Sequence, residues 1–118
     1  MLSTIQKKVL CNWLDLLKKF QQLISQSPID VAKIKNSWLK IENYLKTQII
    51  SLDIAVFSPE NQSSWQTWQT ETNRYVRLLN TELLFWYTAK KEQTRNDRFQ
   101  NINNRLQQMT ALTQQLTE

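Results

Sequence analysis

Side chains able to do covalent or acid–base chemistry are few in this sequence. It has one cysteine, Cys11, no histidine, and ten carboxylates against fifteen lysines and arginines. Without histidine no Ser-His-Asp or Cys-His arrangement can form, and a lone cysteine neither completes a Cys/His zinc set nor closes an internal disulfide. Without glycine there is no P-loop and no dinucleotide fingerprint, because both need glycines where the backbone meets phosphate. The nearest thing to a reactive pair is Glu71 and Glu82, eleven residues apart on one predicted helix. They can share a face, but glutamates on a helix surface are ordinarily solvated. A metal site in a helical bundle would also need carboxylates at the core positions of other helices, and none falls there. The expectation is a non-catalytic chain with no cofactor and no metal.

Binding chemistry is better represented. Five tryptophans are spread over 118 residues. Trp13, Trp38 and Trp86 fall on predicted inward faces and read as core. Trp65 and Trp68 stand in a polar run, Asn61 to Gln69, and share a helix face at i and i+3. They either close the end of a bundle over Phe57 or anchor a partner, since aromatic side chains bury much area with few rotatable bonds. Leu83-Leu84-Phe85-Trp86-Tyr87 puts five large apolar residues in a row, pointing in every direction around a helix at 100° per residue. A bundle helix has a wet side, so one or two of Leu84, Phe85 and Tyr87 should be exposed; either this helix is buried more deeply than its neighbours or the run is a docking patch. The candidate partner-binding set is therefore Trp65, Trp68, Leu84, Phe85 and Tyr87, facing another protein or a second copy in a homodimer.

The formal charge of +5 raises the alternative of a basic module for nucleic acid. The excess is dispersed: residues 1–27 carry +3, 28–58 carry +1, 59–89 carry −1 and 90–118 carry +2. The candidate anion-binding residues are Arg74, Arg77, Lys90, Lys91, Arg95 and Arg98, with Glu92 and Asp97 interrupting the densest stretch. No nucleic-acid-binding signature accompanies them, so this is the second reading. Lys7, Lys8, Lys18 and Lys19 flank an amphipathic stripe that could lie on a membrane surface. No apolar run is long enough for a signal peptide or a membrane span. Bulky Leu10 before Cys11, with no hydrophobic region upstream, counts against a lipoprotein cleavage site. Cys11 reads as a small buried residue in a reducing, cytoplasmic setting.

The elements that must position these residues are helices. Ser3 and Gln6 resemble a capping box for a first helix to about Gln26. Its stripe is Ile5, Val9, Trp13, Leu16, Phe20 and Ile24, widened by Leu10, Leu14 and Leu17. Ser27-Pro28 supplies an N-cap and a first-position proline for a second helix running to about Leu52. Its heptad positions are Val31, Ile34, Trp38, Ile41, Leu45 and Leu52, interrupted by Gln48. Ser58-Pro59 repeats the device for a third helix to about Ala89, with Trp65, Trp68, Tyr75, Leu79, Leu83 and Trp86 inward. Phe99, Ile102, Leu106, Met109, Leu112 and Leu116 make a fourth stripe. Residues 88–98 hold neither Gly nor Pro, although Thr94 or Asn96 could cap a new helix. With a turn there, the chain is an all-α, antiparallel, up-down-up-down four-helix bundle forming a single domain. Without it, a helical hairpin precedes one rod of roughly 85 Å that must dimerise to bury its stripe.

The run Trp38-Leu39-Lys40-Ile41-Glu42 and the Trp65/Trp68 segment, in a glycine-free and Gln-rich helical chain, resemble the cyanobacterial PatD group, the heterocyst frequency control proteins. The resemblance spans nearly the whole sequence and assigns no residue a role. It implies a developmental regulator that acts through protein contacts, with the division protein FtsZ as partner.

Overall fold

The computed structural model describes residues 4–52 and 59–117, and among these there are helices and no strand. Helix α1 spans Thr4–Ile24, α2 spans Val31–Tyr44 and continues as a π-helical turn over Leu45–Ile50, α3 spans Pro59–Thr88 and α4 spans Glu92–Thr117. The molecule measures 50 × 21 × 20 Å, one helix long and two helices across.

Cross-contacts show that consecutive helices run antiparallel. Tyr44 at the end of α2 donates its hydroxyl to the carbonyl of Val9 near the start of α1, while Trp38 meets Phe20 with ring centroids 5.2 Å apart. Trp38 Nε1–H of α2 donates to Asn80 Oδ1 of α3. Trp68 and Trp86 of α3 meet Thr113 and Phe99 of α4, respectively. Gln21 Nε2 donates to Asn103 Oδ1 at 3.0 Å, closing α4 onto α1. Of the adjacent pairs, α2 and α3 make the fewest close backbone approaches, so a groove lies between them.

Each start and stop has a local cause. The N-cap of α2 is Asp30 rather than Ser27. Asp30 is extended at φ −107° and ψ 98°, and its carboxylate accepts the Lys33 backbone N–H at 3.2 Å. A carboxylate there also offsets the positive end of the helix, which a serine would not do. Pro28 therefore sits in the connection, not at the first helical position. The expected caps at Ser3 and Ser58, and Phe57 beside them, lie outside the described residues. Near the end of the second helix the wider π turn turns Gln48 outward and buries Ile49, which removes the expected polar interruption. Thr47 returns its hydroxyl to the carbonyl of Asn43 within this segment.

The third helix ends at Thr88 and the fourth begins at Glu92, so the single rod does not form. The Thr88 hydroxyl donates back to the carbonyl of Leu84, and Arg95 Nη2 donates to the carbonyl of Ala89 at 3.0 Å. Neither Thr94 nor Asn96 caps α4. Its first turn closes instead through the Arg95 N–H and the carbonyl of Lys91.

The core runs the length of the bundle and contains all five tryptophans. The buried stripe of α1 is centred on Leu10, Trp13, Leu17, Phe20 and Ile24, because this helix packs against both α2 and α4. Val9 and Leu16 move to its fringe, and Ile5 is 70% exposed rather than buried. Cys11 is exposed, one residue past a buried position, and Val31 also faces outward. In α3, Thr72 and Val76 take the central places expected of Tyr75, which is half-buried. Phe20→Ala is expected to lower the unfolding free energy by about 3–5 kcal/mol. Ile5→Ala should change it by less than about 0.5 kcal/mol, with urea denaturation followed by circular dichroism as the readout.

Candidate functional site

The five residues read from the sequence as a docking set do not form one surface. Trp65 and Trp68 are only 1% and 2% exposed. Their rings lie 5.0 Å apart, and Trp68 Nε1–H donates to Thr113 Oγ1 at 3.1 Å inside the α3–α4 interface. Thr113 in turn donates to the carbonyl of Met109, so the buried polar atoms of Trp68 and Thr113 are matched. The polar sequence around these tryptophans faces water while the indoles face inward; they are core, not anchors.

Leu84 and Phe85 are exposed, at 58% and 45%. Neighbours in sequence diverge by about 100° around a helix, and these two leave α3 on opposite flanks. Phe85 turns toward α4, where the Arg98 guanidinium lies 4.7 Å over its ring while also reaching Glu82 at 3.3 Å. That cation–π contact and ion pair occupy one face of Phe85 from within the chain. Leu84 turns toward α2. With Tyr87, Leu83, Trp38 and Leu39 it lines a groove of about 450 Å³ between α2 and α3. Tyr87, half-buried, carries the Lys35 ammonium 5.1 Å above its ring.

The groove continues toward the α1–α2 connection, where Ile29, Val31, Trp86, Tyr87 and Arg95 line a second hollow of about 250 Å³. Among the described residues seven large apolar side chains are exposed, and four of them, Ile29, Val31, Leu39 and Leu84, border this one face. Scattered singly they would need no explanation; collected along one groove they make a contiguous apolar strip. A polar bridge spans it: Trp38 donates to Asn80, and Asn80 Nδ2 donates back to Glu42 Oε2 at 3.3 Å. Leu39, Ile29 and Asn80 carried no signal of this site, because each looked ordinary on its own helix and only the α2–α3 pairing assembles them.

The anion-binding set does not converge either. Arg74 pairs with Glu71 at 2.7 Å and lies over Tyr75, Arg95 holds the carbonyl of Ala89, and Arg98 holds Glu82 and Phe85. Glu71 and Glu82 are thus each the partner of an arginine and share no site. Arg77, Lys90 and Lys91 are exposed. Among the described residues no group of three or more Cys, Asp or Glu side chains gathers where it could hold a metal ion. No helix among them is long and apolar enough to cross a membrane.

A second groove, of about 680 Å³, runs between α1 and α2. Lys8 and Lys40 stand on its rim, its other polar lining side chains are amides and hydroxyls, and no carboxylate faces it. Tyr44 lies in its wall. Desolvation raises the Tyr44 pKa above the ordinary tyrosine range, with a hydrogen bond to Asn12 working in the lowering direction. Tyr87 is raised by desolvation alone. Comparison with known proteins finds no matching family model, no matching characterised sequence and no matching solved structure.

Two measurements check these placements. Trp68→Ala is expected to cost about 3–5 kcal/mol of stability, as for a core aromatic. Leu84→Asp should cost less than about 1 kcal/mol, whereas equal losses from the two would contradict the burial assigned here. Because Tyr44 and Tyr87 are raised in the folded state, their contribution to stability is complete below the unfolded tyrosine pKa of about 10 and is lost as pH rises through the folded values. Absorbance at 295 nm should therefore show part of the tyrosinate appearing later in the folded protein than in the urea-unfolded chain. Superimposable curves would contradict the burial.

Proposed function

We propose that this chain is a non-catalytic regulatory or adaptor protein that binds another polypeptide through the apolar face between α2 and α3. The observation that carries this reading is the gathering of Leu39, Leu84, Ile29 and Val31 along one groove floored by Trp38, Leu83 and Tyr87. Exposed leucines over an aromatic floor supply what an interface core needs: apolar area, ordered by packing beneath it, with a polar rim. Nucleic-acid binding is disfavoured, since Arg74, Arg95 and Arg98 make contacts within the chain. The resemblance to the heterocyst frequency control proteins adds FtsZ as the first purified partner to try.

The test is photocrosslinking in native cells, with a benzophenone amino acid in place of Leu84 and, as control, in place of exposed Gln107 on α4. Position 84 is expected to give a discrete protein adduct that survives nuclease and forms undiminished when irradiation is done at high salt, while position 107 gives none. An adduct removed by nuclease, or no adduct from position 84, would overturn the reading, because phosphate contacts weaken steeply with salt and an apolar contact does not.

A further inference from the structure

We infer that the occupant of the α2–α3 face is a second copy of the same chain, joined about a two-fold axis beside Leu39; this rests on the reading of that face as a protein-binding surface. A two-fold interface brings a patch against itself, so every feature must meet its complement within the same patch. Along α2 the groove rim presents Lys35, then Leu39, then Glu42. Lys35 and Glu42 are seven residues apart, two helical turns, and so lie on one side of the helix. When two such helices cross antiparallel about the midpoint between them, Lys35 of each copy stands opposite Glu42 of the other, and Leu39 and Leu84 fall between the two charge pairs. The partner charges are at hand. Lys35 rests over Tyr87, and Glu42 accepts a long 3.3 Å hydrogen bond from Asn80.

The other groove excludes itself from this role. Lys8 and Lys40 on the α1–α2 rim face no carboxylate, so two copies joined there would set ammonium against ammonium. The size also suits: one long face of a 50 × 21 × 20 Å molecule offers roughly 1,000 Å², and a standard interface takes about 800 Å² from each partner. The apolar strip covers only part of that face, so the association is expected to be in the micromolar range rather than permanent.

Sedimentation equilibrium of the full chain tests the inference. The wild type is expected to shift from 14.1 kDa toward twice that mass as concentration rises. Leu84→Asp should remain monomeric with unchanged helical content. Lys35→Glu and Glu42→Lys, taken singly, should each weaken the dimer about tenfold or more by placing like charges opposite each other, and the double exchange K35E/E42K should recover to within about threefold of wild type. Only a self-complementary interface gives that recovery. A folded wild type that stays at 14.1 kDa at the highest soluble concentration overturns the inference, as does a dimer indifferent to Leu84→Asp or a double exchange weaker than either single change. If the wild type is monomeric while position 84 crosslinks to a different protein, the inference fails and the protein-binding reading stands. If position 84 crosslinks to nothing, both fail.

Discussion

Arg95 grips the carbonyl of Ala89, and around that contact the C-terminal half of the chain turns back on itself. The turn has neither glycine nor proline to enforce it. It persists because reversal lets α4 lay Ile102, Leu106 and Met109 against α3, where a continuous helix would leave both stripes in water. Local contacts then fix the angle. Arg98 reaches across to Glu82 and covers Phe85, Trp86 meets Phe99 edge-on at 6.0 Å, and Thr88 satisfies a carbonyl near the end of α3. Tertiary burial decides the break, and side-chain hydrogen bonds place it.

From that reversal the surface follows. α4 covers one flank of α3 and α1 covers one flank of α2, while the flank between α2 and α3 is spanned by the Trp38–Asn80–Glu42 bridge, the Lys35–Tyr87 contact and the π turn. An apolar residue on that side of either helix stays partly exposed. This is why Leu84 remains accessible while Trp86, two positions on, is core. It is also why the face that carries the proposed function lies between elements distant in sequence.

Helix number, the approximate helix ends and the all-α class were legible in the sequence, because three- and four-residue spacing of apolar side chains survives in every segment. Trp13, Phe20, Ile34, Trp38, Ile102 and Leu106 are buried as their spacing indicated. The exact centre of each stripe was not legible. α1 serves two neighbours, which rotates its buried arc toward Leu10 and Leu17, and the π turn re-indexes the end of the second helix so that Ile49 replaces Gln48. The tryptophan pair at 65 and 68 misled for a related reason: a polar segment can supply two inward indoles when the intervening residues all face water. The groove itself was invisible, since Leu39 and Ile29 become partners of Leu84 and Tyr87 only after folding. What the sequence did carry was the anomaly at 83–87: Leu84 lies on the strip, and Leu83, Trp86 and Tyr87 line the hollows beneath it.

The intramolecular reversal is tested most directly by a spin-label distance between positions 67 and 114, both exposed, in a chain whose exposed Cys11 has been replaced by alanine. Labelled chains diluted into unlabelled protein report only distances within one molecule. Antiparallel packing that joins Trp68 to Thr113, with helix axes about 8–10 Å apart, predicts a narrow distribution below about 25 Å. A distribution near about 70 Å, the span of those 47 residues in one unbroken helix, would contradict the fold and every surface derived from it.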